Sequence, residues 1–376
     1  IYNVFRGAMW GHSNYFCYCI TELFEQIARI AICVFMLSFG LTSLSPSISA
    51  GLSLTIATVL SAILAMVLYF VYGGRLNKPN NIYKEVLKSS TSITGVRVAS
   101  SLVQPIIALI IPARLIAAGY TSAQAMSVFG IALGMTMPLL FIPVTLVGSL
   151  SMVLIPDIST AIVKNDTEHV NNRISSSILF TLIITFLMIP LYIGAGDNIG
   201  LFFYDNLQSG QLLAAAAWTM LPFALINITS SILNALGLEV KSFVNYIVGS
   251  IFMFICIIFL PKLIGIRALI WGMGSCVTVA SLLNIRMIKK KTNLKLNLFK
   301  PILKLSIISL PTAALTYFVT SLLSNFMPLF FNLAISCTLG AIMFVLLCMM
   351  FGILNIQSMF VEVKTYFKSK KKKKAS

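Results

Sequence analysis

Long apolar runs separated by short polar turns restrict this chain more than any other feature, because about 20 apolar residues are what a helix needs to cross a bilayer's hydrocarbon core. Such runs cover roughly 20–41, 48–72, 88–111, 123–155, 174–195, 212–236, 243–263, 264–287, 301–323 and 329–354. In lipid every backbone donor and acceptor must be paired within the segment, so these runs are expected as helices. The expected fold is an all-α, polytopic membrane helix bundle with about ten spans. A content of 58% hydrophobic and 10% charged residues over 376 positions excludes an ordinary soluble domain.

The formal charge of +17 does not point to nucleic acid, because the basic residues follow the membrane sides. Arg6, then Arg75, Lys78, Lys84 and Lys88, then Lys164 and Arg173, then Lys241, then the run from Arg286 to Lys304 fall on one side. Only Arg114, Lys262 and Arg267 fall on the other. By the positive-inside rule the rich side is cytoplasmic, which puts both visible ends inside and the protein in the cytoplasmic membrane. The tail, 356–376, sets Met359, Phe360, Val363 and Phe367 on one helical face and ends in the lysines Lys370 to Lys374. It reads as an amphipathic basic helix on the inner leaflet, with anionic lipid as its partner.

One span carries more polar side chains than packing explains. Ser90, Thr94, Arg97, Ser101 and Gln104 recur at three- and four-residue intervals, so they share a helix face. Counted from Lys88 at the interface, Arg97 lies about 13 Å deep, where a guanidinium needs water or a partner. Asn227, Ser231 and Asn234 form a second polar face. Interhelical hydrogen bonding and substrate contact are both open readings of it. Glu25 and Arg29 stand four apart with Glu22 a turn earlier, the spacing of a helix-edge ion pair.

The run 123–155 is too long for one straight span, and Pro138 and Pro143 predict a kink or break in it. Gly130 and Gly134 are spaced for close approach of a neighbouring helix. The seven cysteines lack metal-ligand spacing and are expected as free thiols. Neither histidine, His12 or His169, lies in a catalytic pattern, so no enzyme, metal or cofactor is expected. The first residue is Ile, and the chain is expected to begin partway through a longer protein.

The run RVASSLVQPIIALIIPARLIAAGYTSAQAMSVFGIALGMTMPLLFIPVTLVGSLSMVLIPDIS resembles the middle of the stage V sporulation protein B group of polysaccharide transporters, within the multidrug/oligosaccharidyl-lipid/polysaccharide exporter superfamily. The matching positions are Arg97, the turn Pro112 to Leu115, Gly119, Ala125, Gly130, Gly134, Met135, Pro143, Ile155, Pro156, Ile158 and Ser159. The opening FRGAMWGHSN, with Glu25, Gln26 and Arg29 after it, looks like that group's inner loop after its fourth helix. The resemblance implies two six-helix lobes across a central cavity. On that mapping 1–73 holds the last two helices of the first lobe, 84–290 the second lobe, 291–355 an extra helix pair and 356–376 the tail, with four N-terminal helices missing. It also implies a flippase of undecaprenyl-pyrophosphate-linked sugars for cell-wall, spore-cortex or surface polysaccharide assembly, working beside envelope-synthesis proteins. A guanidinium such as that of Arg97 suits a pyrophosphate. A multidrug antiporter, which needs a buried carboxylate, and a non-transporting scaffold are the alternatives.

Overall fold

The computed structural model describes residues 2–11, 15–38, 46–74, 98, 101, 103–294, 297–324 and 326–353. It is 90% helical and has no strand among the described residues. The chain divides into two compact units, Ile1–Lys88 and Ser89–Ser376.

The first unit holds α1 (Tyr2–Gly11), α2 (Tyr15–Ser38) and α3 (Pro46–Val71). The short amphipathic α1 lies on the other two through Phe5, Met9, Cys17, Ala65 and Leu68, with the Phe5 and Tyr69 rings 5.3 Å apart. A charge cluster fixes it. Arg6 pairs with Glu22 and lies 5.0 and 4.5 Å over the rings of Tyr2 and Tyr18. Tyr2 Oη donates to Glu25 Oε2 at 2.9 Å, and Arg29 Nη2 stands 2.5 Å from Glu25 Oε1. Glu22 therefore pairs with α1 rather than with Arg29. Burial, and after it the bond to Glu25, raise the Tyr2 phenol's pKa.

The second unit comprises α4 (Val103–Ala117), α5 (Ser122–Gly130), a π-helical turn (Ile131–Thr136), α6 (Met137–Val163), α7 (Thr167–Tyr204), α8 (Leu207–Ala216) with a 3₁₀ turn, α9 (Met220–Ala235), α10 (Glu239–Phe259), the short α11 (Pro261–Ile264), α12 (Arg267–Thr292), α13 (Phe299–Leu323) and α14 (Leu329–Met350). Eight helical stretches among the described residues are long and apolar enough to cross a membrane. Two expected spans are not among them. The helix α2 carries Glu22, Glu25 and Arg29 near its middle, and most of 88–111 lies outside the described residues.

Local chemistry sets the breaks. Thr121 and Gln124 cap α5 reciprocally, each side chain bonding the other's backbone N–H. Gly119, at φ +101, reverses the chain before it. Residues Pro112 to Leu115, expected as a turn, lie within α4, and the turn comes only at Ala118–Tyr120. The long run 123–155 stays helical throughout, but not uniformly. The π turn ends at Thr136, two residues before Pro138, whose missing N–H and bulky ring disfavour regular α-helix in the turn before it. Pro143 lies inside α6 without ending it.

Among the described residues the expected close approach at Gly130 and Gly134 is not made, since a Cβ on either would meet nothing within 4 Å. The intimate glycine contacts lie elsewhere. A Cβ on Gly210 of α8 would come 2.7 Å from Asp197 Cα of α7, and one on Gly194 of α7 would come 2.8 Å from Tyr317 N of α13. Ser309 Oγ also donates to Phe186 O of α7 at 3.3 Å. The pair α13 and α14 is thereby seated on α7, inside the same compact unit as the helices before it.

Candidate functional site

A cavity of about 450 Å³ opens within the second unit. Its wall takes Ile107 from α4, Leu133 from the π turn, Met137, Pro138 and Phe141 from α6, and Phe223 and Ile226 from α9. Tyr246 and Met253 of α10 and Met273, Cys276 and Val277 of α12 complete it. The π turn helps to shape this wall. At its end buried Thr136 donates to Ser209 O of α8 at 3.2 Å, and Tyr192 of α7 donates at 2.9 Å to Leu139 O, the carbonyl that Pro143, four residues on, has no N–H to pair. Phe141 and Phe223 meet edge to face at 5.0 Å. Three methionine thioethers and a thiol make the lining polarizable and adaptable to apolar guests of varied shape.

Beside that wall lies a polar face. Asn227 directly follows Ile226, and on the same side of α9 come Ser231 and Asn234; Asn227 and Asn234 are exposed. Asn227 Nδ2 donates to Phe223 O at 2.9 Å and Ser231 Oγ to Asn227 O at 2.9 Å, both within their own helix. The side-chain bonds that tie α9 to α10 and α12 are made by other residues of that helix. Asn284 of α12, fully buried, donates to Thr229 Oγ1 (3.3 Å), Ser230 Oγ (3.3 Å) and Ser242 Oγ (3.4 Å) and accepts from Asn245 of α10 at 2.9 Å. This polar knot ties α9, α10 and α12 together behind the cavity. Asn245 and Asn284 are solitary amides in apolar helices, a signal present in the sequence but without periodicity to link them.

Of the stripe residues, Ser90, Thr94 and Arg97 lie outside the described residues. Ser101 is exposed and donates to Val98 O at 2.8 Å. Gln104 belongs to α4, one turn before the cavity residue Ile107. Glu22, Glu25 and Arg29 belong to the first unit, and Pro138 is the only one of the four expected kink and packing residues in the cavity wall. All seven cysteines are free, and no group of three potential metal ligands occurs among the described residues.

No known family and no curated protein matches the sequence. Solved structures do. A lipid II flippase MurJ in an inward closed conformation superposes with a TM-score of 0.61 at 17% identity, covering 88% of this chain and 66% of its own. A point mutant of a MATE protein gives 0.61 at 14%, covering 78% and 66%. A MOP superfamily transporter from Pyrococcus furiosus, described by the reversed polarity of its binding pocket, gives 0.60 at 16%, covering 78% and 66%. The chain thus spans slightly under two thirds of the length of these three proteins. At such identities the likeness concerns the backbone, and what it establishes is that this chain has the fold of MOP-superfamily membrane transporters.

Proposed function

We propose that this chain is part of a transporter that moves a lipid-linked, pyrophosphate-bearing glycan across the cytoplasmic membrane. The observation that carries the reading is the junction on α9, where an apolar, sulfur- and aromatic-lined cavity meets accessible amides and a hydroxyl at Phe223, Ile226 and Asn227. A substrate with a hydrocarbon chain at one end and sugar hydroxyls at the other needs both surfaces side by side. The likeness to a lipid II flippase supports it. In this reading Asn227, Ser231 and Asn234 face sugar, and Arg97, with Ser90, Thr94, Ser101 and Gln104 beside it, holds the pyrophosphate through its planar fork.

The likeness to multidrug transporters makes drug export the competing outcome. The test is translocation of labelled lipid-linked sugar in proteoliposomes, using the longest reading frame that contains this chain. Arg97→Ala is expected to lose flipping with its melting temperature unchanged, and Arg97→Lys to recover part of it. Unimpaired flipping in Arg97→Ala, or efflux of cationic dyes without glycolipid flipping, would overturn the reading.

A further inference from the structure

A second cleft, of about 440 Å³, opens between α6 and α7 near the turn that joins them, away from the residues of the cavity described above. Its polar end is built on a carboxylate shared across the hairpin. Asp157 of α6 holds Arg173 Nε of α7 at 2.8 Å through Oδ2 and His169 Nε2 at 3.3 Å through Oδ1. The pair is made through Nε of Arg173, and that side chain is 54% exposed, so part of its guanidinium stays open to a further acceptor. Ser176 and Ser177 follow one turn on, and Leu150, Leu154 and Phe180 line the other end.

The cleft therefore runs from charge through hydroxyls to hydrocarbon along one face, over the few turns in which a membrane helix leaves the headgroup layer. The 38 residues of α7 span about 57 Å, well beyond a ~30 Å hydrocarbon core, so its charged first turns project into the headgroup region. The sequence of chemistries along this face is that of a phospholipid.

Charge balance selects the headgroup. Arg173 and Asp157 cancel, Lys164 is offset by Asp166, and Glu168 leaves this end of the hairpin with one net negative charge. A net anion would gain the guanidinium but face three carboxylates, Asp157, Asp166 and Glu168. A headgroup that carries its own cation beside its phosphate matches both. We propose that this cleft is a binding site for an ethanolamine phospholipid. The phosphodiester accepts from the terminal amino groups of Arg173 and from Ser176, the primary ammonium donates to Asp157, and an acyl chain follows Leu154, Leu150 and Phe180. A guanidinium presents a planar pair of donors to phosphate oxygens, and a primary ammonium, unlike a quaternary one, can donate to a carboxylate.

The experiment uses the purified full chain in detergent, titrated with short-chain phosphatidylethanolamine, phosphatidylcholine, phosphatidylglycerol and, separately, inorganic phosphate. Bound lipid is counted by native mass spectrometry. The ethanolamine lipid is expected to bind about tenfold more tightly than the other two, and Arg173→Gln to remove about that factor, as loss of a charge-assisted pair implies. Arg173→Lys is expected to keep part of it. Ser176→Phe, which fills the cleft while leaving the ion pair in place, is expected to abolish binding without lowering the lipid-free melting temperature, so that a folding defect is distinguished from a lost site. Equal binding of the three lipids, unchanged binding in both Arg173→Gln and Ser176→Phe, or displacement of the lipid by millimolar inorganic phosphate would overturn the proposal.

Discussion

Asn284 and Asn227 show how differently one residue type behaves on two helices. Asn284 is fully buried and bonds side chains from α9 and α10. Its removal leaves the Asn245 amide without its carbonyl partner inside a nonpolar bundle, which costs about 1–3 kcal/mol. Interhelical bonds in membranes contribute only about 0.6 kcal/mol each on average, so the loss comes mainly from stranding the partners. Asn284→Ala is therefore expected to lower the melting temperature measurably. Asn227 bonds only its own helix and is exposed, so Asn227→Ala is expected to change stability by less than about 0.5 kcal/mol. Through the proposed sugar contact, the same variant is expected to weaken glycolipid flipping. Melting curves of both variants beside transport rates separate the two roles.

Between elements, glycines decide how closely helices approach. In α8, Gly210 lies against the backbone of α7 so tightly that an added Cβ would stand 2.7 Å from Asp197 Cα, and backbone has no rotamer with which to yield. Gly210→Ala is expected to push α8 from α7 and cost about 1–3 kcal/mol, as overpacked sites do. Gly130 has helical dihedrals and no neighbour within 4 Å of its Cβ position. Gly130→Ala is expected to be neutral or to stabilise by about 0.5–1 kcal/mol through lower unfolded-state entropy. Thermal melts of the two single variants check both signs; a destabilised Gly130→Ala would show that this face is packed against a neighbour. The prolines follow the same logic of local sterics. Pro138 borders the π turn, whereas Pro143 and Pro156 are accommodated within α6.

For the molecule as a whole, topology is the decisive property. Lys164 and Asn206 flank α7 at its two ends, and α7 is long enough to cross the bilayer. With the native cysteines replaced, Lys164→Cys is expected to react with an impermeant thiol reagent only from the cytoplasmic face, and Asn206→Cys only from the opposite one. Labelling of both from one face would remove the charge-based orientation. Hydropathy made the helical bundle legible in the sequence, because bilayer thickness and backbone hydrogen bonding act on each helix separately; loop charge supplies the orientation that this labelling checks. The same locality accounts for the Glu25 and Arg29 spacing, which lies within a single helix. What a single helix cannot carry is which face meets which neighbour. Glu22 turned to Arg6 on α1, Gly130 and Gly134 stayed open among the described residues while Gly194 and Gly210 made the close contacts, and Asn245 found Asn284 across the bundle. The sequence alone determined that this chain lives in a membrane as helices. Only the tertiary structure decided where those helices leave a cavity, because a void depends on shapes contributed by segments far apart in the chain, and no periodicity encodes their meeting.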